Sequence, residues 1–332
     1  MNVAMWLKAL QVIPRIDKAE WDRLDVISRW LISTRAAVLI MTFISATIGG
    51  ILAARDGMFN FVYWLLVVIG LVFAHALNNL LNDLTDYDRG VDKDNYFRTQ
   101  YGPQAIEQGL MTRRQMLTYA AVTGLIALAA GGYLVVMRGW LALALLAAGA
   151  FFVFFYTWPL KYIGLGELAV IIVWGPLMIG GSYFIITGHW DWMVVLAGLP
   201  YALGTTTVIY GKHIDKLEAD RAKKIHTLPV IIADRAARAS VQVMMVLMYI
   251  LVIGLVIAGY FTPFMLIVLL GLKNLPAVWN MLSQPRPTEP PESAKEGWPL
   301  YFVAGAFVHN RTYGLLFLLG LILDMTYKLI VH

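Results

Sequence analysis

Nine stretches of about 20 predominantly apolar residues dominate this 332-residue chain, near 36–54, 59–81, 117–136, 140–158, 166–187, 191–211, 241–260, 262–282 and 312–331. Runs of that length match the hydrocarbon thickness of a bilayer, where an unpaired N–H or C=O costs several kcal/mol, so each run must close its hydrogen bonds within itself as a helix. Composition agrees: 59% of residues are hydrophobic and 14% charged, against roughly 45–50% and 25% in soluble domains. The sequence predicts an all-α, polytopic membrane protein with nine transmembrane helices. The links Met137-Arg138-Gly139 and Phe261-Thr262-Pro263 are short enough to make helical hairpins of the spans they join. There are no cysteines, which excludes disulfide frameworks, thiolate metal sites and cysteine nucleophiles.

Charge sets an expected orientation. The side opposite the N-terminus holds only Arg55, Arg138 and Lys328 of the 26 Lys and Arg residues, which places the N-terminus and all long loops in the cytoplasm. The expected setting is the inner (cytoplasmic) membrane. Residues 1–35 mix charged and apolar side chains with no long apolar core and read as an amphipathic cytoplasmic segment lying on the membrane. Residues 36–332 form the nine-helix domain, interrupted by a Pro-rich, polar cytoplasmic linker at 283–299 for which little functional role is expected.

Three polar segments interrupt this pattern. Span 2 closes on His75, Asn78, Asn79, Asn82, Asp83, Asp86, Asp88 and Asp92. Steps of three and four put His75, Asn79, Asn82 or Asp83, and Asp86 on one helical stripe. Such a stripe facing lipid costs several kcal/mol, so it should line a wet cavity. Helix capping explains it less well, since a cap needs one polar residue and the stripe runs three turns. Amide and carboxylate oxygens without sulfur or clustered imidazole suit a hard cation such as Mg²⁺. The second segment, between spans 6 and 7, mixes Asp215, Glu218 and Asp220 with Lys212, Lys216, Arg221, Lys223 and Lys224. That mixture fits a diphosphate held through a cation, although a charged loop beside a membrane is commonplace. The third carries Lys161 among Tyr156, Trp158 and Tyr162, which an interfacial aromatic anchor would also explain.

Two acidic, base-flanked segments at one mouth of a helical bundle point to metal-dependent handling of an anionic, membrane-borne substrate, best a lipid diphosphate. No P-loop and no G-x-S-x-G elbow is present. Aromatic side chains such as Tyr156 and Tyr210 could face a carbocation with their π systems, or simply pack. A cation-coupled transporter predicts acids at mid-membrane and an inverted repeat, whereas these acids gather at one face. A non-catalytic lipid-binding scaffold leaves the polar stripe unexplained.

Asn82-Asp83-x-x-Asp86, followed by Asp220-Arg221 and Thr227-Leu228-Pro229-Val230, resembles the two acidic motifs of the UbiA superfamily of intramembrane prenyltransferases. The likeness runs from about residue 70 to the end. Gly90-x-Asp92, the segment Gly102–Thr112, Tyr156-Thr157 with Lys161-Tyr162 and Gly164-Leu-Gly166-Glu167, and Trp174-Gly175-Pro176 are similar to the 1,4-dihydroxy-2-naphthoate polyprenyltransferase (menaquinone) branch. That branch places two carboxylates four apart in its second motif. Here position 216 is Lys, and Asp215 and Asp220 lie about 140° apart on a regular helix.

The resemblance implies nine helices around a central cavity open to the cytoplasmic side, and Mg²⁺-dependent transfer of a polyprenyl group from its diphosphate to an aromatic ring, 1,4-dihydroxy-2-naphthoate. Other acceptors of the same reaction are a hydroxybenzoate, a chlorin or a glycerol lipid. The expected metal ligands are Asn82, Asp83, Asp86, Asp215, Glu218 and Asp220, and the expected diphosphate ligands Lys161, Arg98 and Arg221. Asp86, Asp220 and Lys161 are the expected catalytic residues, with Asn79, Tyr156 and Tyr210 near the acceptor or cation. No nucleic-acid partner is expected, and the sequence leaves oligomeric state and tail length open.

Overall fold

A computed structural model describes residues 2–91, 93, 102–292, 295 and 298–331. The described residues contain helices and no strand. Three short helices come first: α1 (Val3–Gln11), α2 (Lys18–Asp22) and α3 (Val26–Ser33). The bundle follows as α4 (Ala36–Arg55), α5 (Phe61–Asp88), α6 (Arg113–Arg138), α7 (Trp140–Phe155), α8 (Gly166–Thr187) and α9 (Trp192–Asp215). Two short helices, α10 (Leu217–Ala222) and α11 (Leu228–Ile232), precede α12 (Asp234–Ile257), α13 (Pro263–Ser283) and α14 (Phe302–Val331).

Eight of these helices are long and apolar enough to cross a bilayer, and the chain is an integral, multi-pass membrane protein. The ninth expected span is α7, a 16-residue helix of about 24 Å, short of a hydrocarbon core of about 30 Å. Pro159 and the 3-10 turn Leu160–Ile163 end it early and bring the third polar segment to the mouth of the bundle. Three other spans start sooner than their apolar runs: α6 at Arg113, α12 at Asp234 and α14 at Phe302.

Local chemistry sets the breaks. Asn60 caps α5, accepting from Tyr63 N at 3.1 Å. Thr112 and Gln115 form a reciprocal capping box on α6, satisfying two donors that the helix leaves open. The α6–α7 turn pivots on Gly139 at φ +76°, a conformation that a side chain would strain. Pro176 lacks the N–H a regular helix would use, and α8 winds as a π-helix from Val173 to Gly180 around it.

The main core joins α4, α8, α9, α12, α13 and α14 through Ile48, Ile179, Tyr201, Met245, Tyr313 and Phe317 among others. On the face of the bundle away from the acidic segments, Arg55 pairs with Asp56 at 2.9 Å and lies 4.4 Å over the Tyr260 ring. Tyr183 donates to Asp56 at 2.8 Å, and Asp324 accepts from Thr262 N at 2.6 Å. These contacts close that face. On the acidic face, Asp25 caps α3 through Ser28 N and accepts from the Trp6 indole at 3.1 Å, docking α1. Its bonds to Ser28, Asn2 and Trp6 hold the Asp25 carboxyl well below the usual range. The apolar side chains Val3, Leu7 and Leu10 remain exposed on one face of α1, as on a helix that lies in a membrane interface.

Gly49 lets α4 and α8 cross closely, since a Cβ there would meet Ser182 Cβ at 2.7 Å and Ile179 O at 2.8 Å. Gly49→Val should therefore cost about 1–3 kcal/mol, visible as a lower unfolding midpoint in detergent. An unchanged midpoint would mean that the crossing is looser than described.

Candidate active site

α5 runs without a break from its apolar stretch through Asp88, so the polar stripe is helical throughout. Each polar side chain along it has a separate task. His75 Nδ1 meets the Thr42 hydroxyl at 2.7 Å and packs edge-on to Trp174. Asn78 donates to Val153 O at 3.0 Å, tying α5 to α7. Asn79 donates to Thr34 O at 2.8 Å. That carbonyl sits at the break between α3 and α4, where Arg35 adopts φ +54°. The stripe therefore anchors α4, α7 and the α3–α4 break before it reaches its acidic end.

At that end Asn82, Asp83 and Asp86 are all buried. Asp83 forms an ion pair with Arg35. Asp86, only 2% exposed, accepts from Lys161 Nζ at 3.1 and 3.3 Å. Lys161 arrives from the 3-10 turn after α7, where Arg89 stacks 4.4 Å over Trp158 and holds the turn against α5.

The second acidic segment is not one helix. α9 ends at Asp215, Lys216 leaves helical geometry at φ −98° and ψ 4°, and α10 begins at Leu217. The break separates the three carboxylates that the sequence groups together. Asp220 is buried and lies 3.3 Å from Lys216. Asp215 turns the other way, accepting the N–H groups of Tyr301, Phe302 and Val303, each at 3.0 Å. It is the cap of α14, and a carboxylate there also meets the positive end of the helix dipole. Arg286 reaches the same carboxylate at 3.5 Å, stacks 4.2 Å over Trp298 and donates to Pro299 O. The Pro-rich linker is thus fastened to the cap. Glu218 is exposed and pairs with exposed Arg221 at 2.8 Å. The structure does not bring Asp215, Glu218 or Arg221 to the place where Asp86 and Asp220 meet.

Those two segments do converge. Burial pushes the Lys161 ammonium below its ordinary range, with Lys216 adding to the effect and Asp86 and Asp220 opposing it. The neighbouring Tyr162 hydroxyl is raised to about 12, first by burial and then by Asp86. Lys223 donates to the carbonyls of Val91 and, at 2.8 Å, Lys93, joining the loops that follow the two motifs. His226 N donates to Tyr162 O at 3.3 Å.

Below this charged mouth lies a cavity of about 690 Å³ walled by α5, α6, α7 and α8. Arg35, Asn82, Tyr156 and Lys212 line its polar end, and Leu66, Leu134 and Ala142 its far end. Leu66 and Asn82 are 16 residues apart on α5, a depth of about 24 Å. Tyr156 and Asn79 both line the cavity, although the Asn79 amide is committed to Thr34. Tyr210 is packed in the main core; its neighbour Ile209 takes the lining position, a turn of about 100° away. Arg98 and Asp92 lie outside the described residues. Sequence reasoning gave Arg35 no role and read Lys212 and Lys216 only collectively, as bases of the second segment. A base at the edge of an apolar run carries little signal of its own.

The sequence pattern of the UbiA prenyltransferase family matches residues 42–302. A Drosophila melanogaster protein named UbiA prenyltransferase domain-containing protein 1 homolog is 25% identical over 270 residues, spanning 76% of this chain and 67% of that one. The Bacillus subtilis 1,4-dihydroxy-2-naphthoate octaprenyltransferase is 24% identical over 258 residues, spanning 76% of this chain and 82% of the relative. A solved structure of a UbiA homolog from Archaeoglobus fulgidus bound to GPP and Mg²⁺ superposes with a TM-score of 0.58 at 15% identity, covering 87% of this chain and 99% of that one.

Because Asp215 is a cap, Asp215→Ala should cost about 1–2 kcal/mol, read as a lower unfolding midpoint. The fraction that stays folded should keep its affinity for an isoprenyl diphosphate. Loss of that affinity at an unchanged midpoint would return Asp215 to the binding site.

Proposed function

The chain belongs to the UbiA prenyltransferase family, and we propose that it transfers a polyprenyl group from an isoprenyl diphosphate to 1,4-dihydroxy-2-naphthoate with the help of Mg²⁺. One observation carries the reading: a deep apolar cavity whose polar end is lined by Arg35, Asn82 and Lys212, with the buried Asp86–Lys161 pair four residues beyond Asn82 on α5 and Asp220 acting electrostatically on the same lysine. A substrate with a charged head and a long apolar tail matches that polarity end for end.

The residues fit the metal. Asn82, Asp83, Asp86 and Asp220 offer only hard oxygen donors. Among the described residues no three His, Cys, Asp or Glu side chains form a closed metal cage. Mg²⁺ usually takes one or two protein carboxylates per ion together with substrate phosphates. These four residues would hold it, and when bound it would neutralise charge building on the departing diphosphate.

The rest of the work falls to the chain's own groups. Lys161, Arg35, Lys212 and Lys216 sit at or beside the cavity mouth and would hold the phosphate oxygens, lowering the barrier to C–O cleavage. The apolar walls keep water from the allylic cation until the electron-rich ring attacks it; diphosphate leaves the prenyl carbon, and the ring recovers its aromaticity by losing a proton or its carboxyl group as CO₂. Tyr156 lines the wall just inside the mouth, where its ring can face the cation. The acceptor is inferred from the name of the Bacillus subtilis relative and from the motifs described above. On this reading the acidic mouth faces the cytoplasm, residues 1–35 lie along the inner membrane, and 36–332 are the transferase domain.

Detergent-purified protein given a polyprenyl diphosphate, Mg²⁺ and dihydroxynaphthoate should form prenylated product, and EDTA should abolish it. Asp86→Asn should lower kcat/KM by about 100-fold or more. Product with a hydroxybenzoate alone would keep the transfer chemistry and overturn the naphthoate acceptor. No product with any acceptor would overturn the proposal.

A further inference from the structure

One ring on the α5 stripe has a side that neither the mouth nor the ties between helices use. His75 lines the cavity seven residues before Asn82 on α5, about 10 Å deeper along the helix. Its partner Thr42 lies seven residues beyond Arg35 on α4, so two successive helices put the pair at the same level beneath the polar end. Deeper still, the α5 lining is apolar: Leu66, Val67, Gly70, Leu71 and Ala74. Trp174 lines the same cavity and meets His75 edge-on, with 5.5 Å between ring centroids. Its indole nitrogen is buried with no hydrogen-bond partner among the described residues. Trp174 stands in the π-helical stretch Val173–Gly180, a geometry that shifts side chains off the regular helical register.

Thr42 is fully buried, and among the described residues its hydroxyl meets His75 Nδ1 at 2.7 Å and makes no other hydrogen bond. Were Nδ1 to carry the ring hydrogen, the Thr42 O–H would be buried without an acceptor, at the cost of an unmade hydrogen bond. Thr42 therefore donates to Nδ1, and Nε2 carries the ring hydrogen on the side left to the cavity. Two N–H donors, His75 Nε2 and Trp174 Nε1, thus border an otherwise apolar cavity at one level. A hydrocarbon tail lying alone there would desolvate both and offer them nothing. A flat apolar ring that carries an oxygen suits both the donors and the aromatic wall. Building on the function proposed above, we propose that His75, oriented by Thr42, and Trp174 hold a ring hydroxyl oxygen of the aromatic acceptor. The ring then lies between this level and the mouth, alongside the prenyl carbon that it attacks. His75 and Trp174 select the acceptor and leave the diphosphate to the residues of the mouth.

Steady-state kinetics on detergent-purified full-length protein, with Mg²⁺, a polyprenyl diphosphate and dihydroxynaphthoate, provide the test. His75→Phe keeps an aromatic ring and removes the donor. It should raise KM for dihydroxynaphthoate by about tenfold or more and leave KM for the diphosphate unchanged. His75→Gln, which returns an N–H near the place of Nε2, should recover most of that loss. The analogues 1-hydroxy-2-naphthoate and 4-hydroxy-2-naphthoate each lack one ring hydroxyl and are read as inhibitors. In wild-type protein one of them should bind about tenfold or more weaker than the other, and His75→Phe should erase most of that difference. Trp174→Phe removes the indole donor and is read in the same way if His75→Phe does not fold. An unchanged acceptor KM, or a rise in both KM values together, would overturn the acceptor seat and leave the transferase reading intact. Absence of product in wild-type protein would overturn both.

Discussion

The contact between Lys161 and Asp86 is the one on which the rest of the site depends. A buried lysine and a buried aspartate are each costly away from water, and removing either partner leaves the other as an uncompensated charge. The pair therefore holds the turn after α7 against the end of α5 at 3.1 Å. That turn also carries Tyr162, whose carbonyl receives His226 N from the loop beyond α10. Through one ion pair and its neighbours, three segments distant in sequence share a single mouth. The apolar cavity beneath them is lined at its polar end by Arg35, Asn82 and Lys212, close to this contact.

Helix breaks do the positioning. A bundle of uninterrupted helices would point its polar residues along separate axes. Here Arg35 in a left-handed conformation, the early end of α7 before Pro159 and the departure of Lys216 from helical geometry each turn a base inward. Asn79, bonded to Thr34 O, supports the first of these breaks from the neighbouring helix. The opposite face is built otherwise, with Arg55, Asp56, Tyr183, Tyr260 and Asp324 bonded mainly to one another. One end of the bundle is thus fastened by these contacts, while the other end carries the buried ion pairs Arg35–Asp83, Lys161–Asp86 and Lys216–Asp220.

Much of this was legible in the sequence. Hydrophobic run length identifies the spans because a bilayer imposes a fixed thickness on them. The three- and four-residue spacing of His75, Asn79 and Asn82 identified a cavity-facing stripe, because helical periodicity carries through from the apolar run into the motif; Asp86, at its end, turns to Lys161. What could not be read was the path of the chain where helices stop. Asp215 and Asp220 look alike in sequence, and only the break at Lys216 sends one to cap α14 and the other to the mouth. Arg35 had no assigned role and Lys216 was one base among several, because their partners, Asp83 and Asp220, are defined by tertiary contact or by that break. Tyr210 and Ile209 differ by one position, and packing decides which of them meets the cavity.

On the proposed function, a diphosphate and its cation sit among Asn82, Asp86, Lys161 and Asp220, beside the polar end of the cavity, while the cavity holds the tail. The most direct measurement is an experimental structure with a prenyl thiolodiphosphate and Mn²⁺, located by the anomalous scattering of the metal. Mn²⁺ should lie among Asn82, Asp86 and Asp220, with phosphate oxygens on Lys161 and tail density running toward Leu66 and Leu134. Metal bound instead at Asp215 and Glu218, or a tail lying outside the α5–α8 cavity, would contradict it.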